Sequence, residues 1–149
     1  MSDLAAIFSA QGILAHTIPN YRARIEQLEM AQAIAKTIQH QQILVAEAGT
    51  GTGKTFAYLV PALLFGGKVI ISTGTKTLQD QLYDRDIPTI RAALKVPVTV
   101  ALLKGRANYV CHYRLEQTLE SDQYKLTTRE DIIHLGLIER FAQNHQTGD

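Results

Sequence analysis

Val45–Thr55 reads VAEAGTGTGKT. An apolar run, Ile43-Leu44-Val45-Ala46, leads into Gly49, Gly51 and Gly53, and Lys54 and Thr55 are followed by the helix-compatible stretch FAYLVPALLFGG. Strand, glycine loop and helix in that order are the signature of a phosphate-binding loop, and each residue type has a physical task. Glycines accept backbone angles that other residues avoid, and without a Cβ they let N–H groups approach phosphate oxygens. The helix behind them offers unpaired N–H donors and the positive end of its dipole. Lys54 is expected to place its ammonium on the β- and γ-phosphates of ATP, and the Thr55 hydroxyl to ligate Mg²⁺. Ala48, Gly49, Thr50, Gly51, Thr52 and Gly53 form the cradle. The motif as usually written begins with glycine, and here Ala48 holds that place.

The rest of the chain supplies a setting for this loop. Its 149 residues suit one domain with a real core, and 46% hydrophobic with 19% charged residues excludes a disordered chain. A net charge of +1 gives no bulk attraction to nucleic acid, so any such contact has to be local. One cysteine excludes an internal disulfide and suits a reducing compartment. No apolar run has membrane-spanning length, and no Lys or Arg precedes Arg22, so a cytoplasmic protein without membrane contact is expected.

Residues 1–20 form an ambiguous lead-in, with Leu4, Ile7, Phe8, Ile13 and Leu14 in short amphipathic turns. Over Arg24–His40, Ile25, Leu28, Ala31, Ile34, Ala35 and Ile38 recur at helical spacing and predict an amphipathic helix. Spacing alone leaves Arg24 and Gln27 as ordinary solvated residues of its first turn. Strands are predicted over Gln42–Glu47, Lys68–Thr73 and Val98–Leu103. Helices are predicted from about Gly53 to Phe65, with Pro61 bending it or marking its last turns, over Thr75–Asp84 and over Thr89–Lys95. Alternation of strand and helix implies an α/β fold with a parallel sheet flanked by helices. Beyond Leu103 the sheet pattern does not resume, and Cys111–Thr118 and Arg129–Asn144 read as helices.

A hydrolytic site also needs a carboxylate at the end of a second buried strand. No run of apolar residues here ends that way: Val98–Leu103 runs into Lys104, and Asp131 precedes its apolar run. Nor is there a second motor domain. The residues therefore predict a chain that binds ATP without efficient turnover.

Four blocks occur in order: R-x-x-Q-x-x-M at Arg24–Met30, EAGTGTGKT at Glu47–Thr55, STGTKTLQDQL at Ser72–Leu82, and LLKGRANYVC at Leu102–Cys111. From about residue 12 to about 120 this series resembles the N-terminal part of the DinG/YoaA-type iron–sulfur helicases, relatives of the XPD helicase in superfamily 2, with the YoaA branch nearer. The resemblance implies a RecA-like P-loop domain over 21–103 and the start of a helical iron–sulfur insertion over 104–149, inside which the chain stops. It implies ATP-driven 5′→3′ movement on single-stranded DNA in repair. Arg24 and Gln27 match the family's adenine-side motif, and alanine at the place of Ala48 is common in such helicases. Thr73, Thr75 and Gln79 match residues that touch single-stranded DNA, although a strand end and a helix N-cap would explain the threonines equally. Cys111 matches the first of four cysteines that hold a 4Fe–4S cluster, which needs four thiolates. His112 beside it is not expected to ligate a metal. Lys104–Tyr109 reads equally as a DNA-lining turn and as a solvated one. Two other readings share the glycine loop: a nucleotide kinase, which leaves STGTKTLQDQL and the cysteine block unexplained, and a non-catalytic nucleotide- or DNA-binding module.

Overall fold

The computed structural model of the chain describes residues 3–120 and 128–145. The chain divides into two compact units, Met1–Ala101 and Leu102–Asp149. The first holds helices α1 (Leu4–Phe8), α2 (Ile13–Thr17), α3 (Ile25–His40), α4 (Lys54–Phe65), α5 (Lys76–Gln81) and α6 (Ile87–Leu94). Its core is Phe8, Leu14, Ala31, Ala57, Leu59, Val60, Leu82, Ile90 and Ala93. The lead-in thus belongs to this core, because Phe8 on α1 and Leu14 on α2 are almost wholly buried.

α3 lies along α4, and both the period and the ends of these helices follow from sequence. On α3 the inward face is centred on Gln27 and Ala31, with Leu28 and Met30 packed against the core, while Ile25 is 62% exposed and lies off it. The helix stops at Gln41, which turns left-handed at φ 53°. α4 buries Ala57, Leu59, Val60 and Pro61, consistent with a stretch that is apolar almost all round. Pro61 sits one turn before the end, and Gly66 closes the helix with φ 72°.

The two helices expected over Thr75–Asp84 and Thr89–Lys95 are instead joined. α5 passes into a π-helical turn, Leu82–Asp86, and directly into α6. Pro88 causes no break: it lies in the first turn of α6, at the junction where i→i+5 bonding of the π-helical turn gives way to α-helix. Asp86 is 4% exposed, and its carboxylate accepts from Gln81 Nε2 at 2.8 Å and Arg85 Nε at 2.9 Å.

The parallel sheet is not formed among the described residues: the three predicted strands carry no ladder. Exposure nevertheless alternates along parts of them. Leu44 and Ala46 line an apolar groove of about 390 Å³ with Met30, Ile34, Ile38 and Tyr58, whereas Ile43 and Val45 are 94% and 93% exposed. Ile70 is 96% exposed between the better covered Val69 and Ile71. Val96, Val98 and Val100 are half-buried and alternate with exposed Pro97, Thr99 and Ala101. A parallel strand is stabilised by a neighbour and by cover on both faces, whereas Ile43, Val45 and Ile70 are almost fully exposed here.

The second unit holds a 3₁₀ turn, Arg106–Asn108, and helices α7 (His112–Glu120) and α8 (Arg129–Asn144). Thr128 caps α8 by accepting from Asp131 N–H at 3.1 Å. Neither helix has a fully buried residue, and Ile132, Ile133 and Leu137 are more than half exposed. Among the described residues no helix is long and apolar enough to cross a membrane.

Candidate functional site

Backbone conformation explains the glycine loop residue by residue. Gly51 and Gly53 take φ of 78° and 82°, a region that costs residues with a Cβ roughly 1–2 kcal/mol. Ala48 does not have positive φ, so the departure from glycine at the first motif position carries no conformational cost. Lys54 folds back over the loop: its Nζ donates to the carbonyls of Ala48 and Gly49, at 2.6 Å each. The Gly49 carbonyl also accepts from Thr52 Oγ1 at 2.9 Å. A single ammonium thus ties the first residues of the loop to the N-terminus of α4. Carbonyl oxygens are neutral acceptors, and charged oxygens bind a cation more strongly.

Thr55 is half-buried on the first turn of α4, with Tyr58 one turn on. Burial raises the Tyr58 phenol above its ordinary value; a hydrogen bond with Thr55 opposes this, and the Asp86 carboxylate adds to it. Tyr58 therefore stays protonated at neutral pH. Neither Tyr58 nor Asp86 carries a sequence signal, since their proximity comes from the packing of α4 on α6.

Gln27 is 4% exposed, and both ends of its amide are held. Nε2 donates to the Gly53 carbonyl at 2.9 Å, and Oε1 accepts from Tyr21 Oη at 3.1 Å. Gln27 is thereby brought to the glycine loop, whereas Arg24 stands exposed just ahead of α3. An amide offers two hydrogens and two lone pairs, so Gln27 keeps one of each for a further partner.

Thr73, Thr75 and Gln79 lie together around the start of α5. Thr75 is its N-cap, Oγ1 accepting from Leu78 N–H at 3.2 Å, and Thr73 Oγ1 donates to the Thr75 carbonyl at 3.3 Å. The cap accounts for Thr75 whatever else it touches. Thr75→Ala is expected to cost about 1 kcal/mol of stability, measured by chemical denaturation, with Thr75→Ser restoring most of it.

In the second unit, the Lys104–Tyr109 turn is closed internally. The Tyr109 hydroxyl accepts from Lys104 N–H at 2.7 Å, and Asn108 Nδ2 donates to the Gly105 carbonyl at 3.0 Å. Cys111 is an exposed free thiol just ahead of α7. Among the described residues no three His, Cys, Asp or Glu side chains converge as metal ligands. One thiol does not meet the four-thiolate requirement of a 4Fe–4S cluster, so the residues of this chain do not by themselves fit that group.

The glycine loop is thus clasped by its own lysine at the N-terminus of α4. The chain belongs to the DEAD/DEAH box helicase family, whose model matches residues 28–145. It is 51% identical over 148 residues to the ATP-dependent DNA helicase YoaA of Haemophilus influenzae, covering 99% of this chain and 23% of that protein. To the YoaA of Escherichia coli it is 59% identical over 110 residues, 74% of this chain and 17% of that protein. A Bacillus subtilis protein named 3′-5′ exonuclease DinG is 39% identical over 117 residues, 74% of this chain and 13% of its own length. The chain therefore spans less than a quarter of these relatives, and they include both groups that the sequence resembles. No solved structure matches it significantly.

Proposed function

We propose that this chain is the ATP-binding part of an ATP-dependent DNA helicase of the DinG/YoaA type. The observation that carries the reading is the clasp of Lys54 on the Ala48 and Gly49 carbonyls at the head of α4, within a chain of helicase family. In this reading Ala48–Gly53 cradle the phosphates of ATP, Lys54 neutralises the β- and γ-phosphates, and Thr55 supplies one ligand to Mg²⁺. Arg24 and Gln27 face the adenine. Thr73, Thr75 and Gln79 bind the backbone of single-stranded DNA without reading its sequence. The intact protein moves 5′→3′ in DNA repair in the cytoplasm, and the three segments predicted as strands pair there as parallel strands of a RecA-like sheet. Cys111 serves as one of four cluster ligands, the other three lying outside these 149 residues.

The test is phosphate release from ATP by the intact protein with and without single-stranded DNA, beside the same assay on the 149 residues. The reading predicts DNA-stimulated release by the intact protein, and ATP binding without turnover by the shorter chain. Transfer of phosphate to a nucleoside monophosphate would overturn it in favour of a kinase. ATP binding with no DNA response in the intact protein would leave a binding module.

A further inference from the structure

Tyr21 lies outside every motif of the sequence, yet its hydroxyl stands between the lead-in and the glycine loop. Tyr21 Oη lies 3.0 Å from the Phe8 carbonyl and 3.1 Å from Gln27 Oε1. Phe8 is the last residue of α1, so its carbonyl is one that the helix itself leaves unpaired. Burial raises the phenol above its ordinary range, opposed by Arg24, and so keeps it a donor at neutral pH. The hydroxyl has a single hydrogen, shared between the Phe8 carbonyl and Gln27 Oε1; its pull on Oε1 acts together with the Gly53 carbonyl, itself only an acceptor, to give the Gln27 amide one favourable orientation. Flipped, it would set its carbonyl oxygen against the Gly53 carbonyl in a buried place, where two acceptors face each other without a hydrogen.

The Gly53 carbonyl accepts from two sides, Gln27 Nε2 at 2.9 Å and Ala57 N–H at 3.2 Å. No peptide bond among the described residues is cis. In a planar trans peptide the C=O of Gly53 and the N–H of Lys54 point in opposite directions. Holding the carbonyl toward α4 and Gln27 therefore aims the Lys54 N–H out of the helix start, toward the cradle.

We propose that the Tyr21 hydroxyl is a positioning group of the phosphate loop: by orienting the Gln27 amide it fixes the Gly53–Lys54 peptide, and so sets the affinity for a nucleoside triphosphate. The proposal rests on the ATP-site reading above. Tyr21 touches no phosphate and acts through Gln27 alone. It also makes the lead-in helix α1 part of the nucleotide site, through the hydroxyl that Phe8 and Gln27 share.

The experiment is an ATP titration of the full chain as wild type, Tyr21→Phe, Gln27→Leu and the double variant, with thermal melting alongside. Tyr21→Phe keeps the ring and removes one hydroxyl, and it is expected to weaken ATP binding about 3- to 10-fold. Gln27→Leu keeps the volume, breaks both bonds, and sets the ceiling for the loss. Because Tyr21 works through Gln27, Tyr21→Phe is expected to add nothing in the Gln27→Leu background. Unchanged affinity in Tyr21→Phe, or an equal further loss in the double variant, would overturn the proposal, since a purely structural tyrosine acts independently of Gln27. Should Tyr21→Phe not fold, Gln27→Leu is titrated with ATP and with inorganic triphosphate, which has no adenine: a loss of about 3-fold or more for both would support the proposal, and a loss confined to ATP, or none, would overturn it. A wild-type chain that bound no ATP would overturn the ATP-site reading, and the proposal with it.

Discussion

Lys54→Ala is expected to weaken ATP binding by at least about 100-fold while the chain still folds. Its ammonium makes two hydrogen bonds to neutral carbonyls, those of Ala48 and Gly49. Exchanging them for phosphate oxygens replaces neutral acceptors by charged ones, and charge-assisted bonds contribute about 1.5–3 kcal/mol each. A net loss near 3 kcal/mol on removing the group corresponds to about 100-fold in affinity. The fold is expected to survive because Gly49 is exposed, Ala48 is half-exposed, and water can replace the lysine on both carbonyls. Alanine is also the best helix former at the position that opens α4. Titration with a fluorescent ATP analogue, with circular dichroism of both proteins, checks both halves. Affinity within about 3-fold of wild type would leave Lys54 out of the site.

Gly53→Ala is expected to be the most damaging single-methyl change in the loop, costing about 2–4 kcal/mol of stability. Two effects add. At φ 82° a Cβ costs roughly 1–2 kcal/mol. The new methyl would also collide with Nε2 and Cδ of Gln27, which is buried and held by Tyr21, so it cannot step aside without giving up its own bonds. Gly51→Ala separates the two: φ there is 78°, but nothing lies within 4 Å of the added carbon, so the backbone cost alone is expected. Urea denaturation should rank Gly53→Ala well below Gly51→Ala, and Gln27→Ala in the Gly53→Ala background should recover part of the difference. Equal losses at the two glycines would show that the Gln27 amide is not braced against the loop.

The parts of this protein written in local sequence are the parts legible there. α3 and α8 carry their own period, and α4 announces itself by an apolar stretch between Gly53 and Gly66, so all three lie where spacing predicts. The backbone of the glycine loop is legible because Gly51 and Gly53 stand where φ is positive. The strands predicted over Gln42–Glu47, Lys68–Thr73 and Val98–Leu103 are not formed among the described residues, because a ladder is a property of neighbours that no single segment contains. The separate helices predicted over Thr75–Asp84 and Thr89–Lys95 are joined, because the π-helical turn delivers the chain to α6 in helical geometry across Pro88. The same limit hides the link from Phe8 through Tyr21 and Gln27 to Gly53: it joins residues up to 26 positions apart with no repeating spacing. R-x-x-Q-x-x-M marks Gln27 as important, and only the fold places its amide on the phosphate loop.

In the proposed function the loop recognises the phosphates of a nucleotide. The most direct measurement is equilibrium titration of this chain with ATP and with AMP in the presence of Mg²⁺. Lys54, the loop N–H groups and Thr55 all address the β- and γ-phosphates in this account, so ATP is expected to bind at least about 100-fold more tightly than AMP. Equal affinity for the two would place recognition on the base and sugar, and would contradict the assignment of the glycine loop.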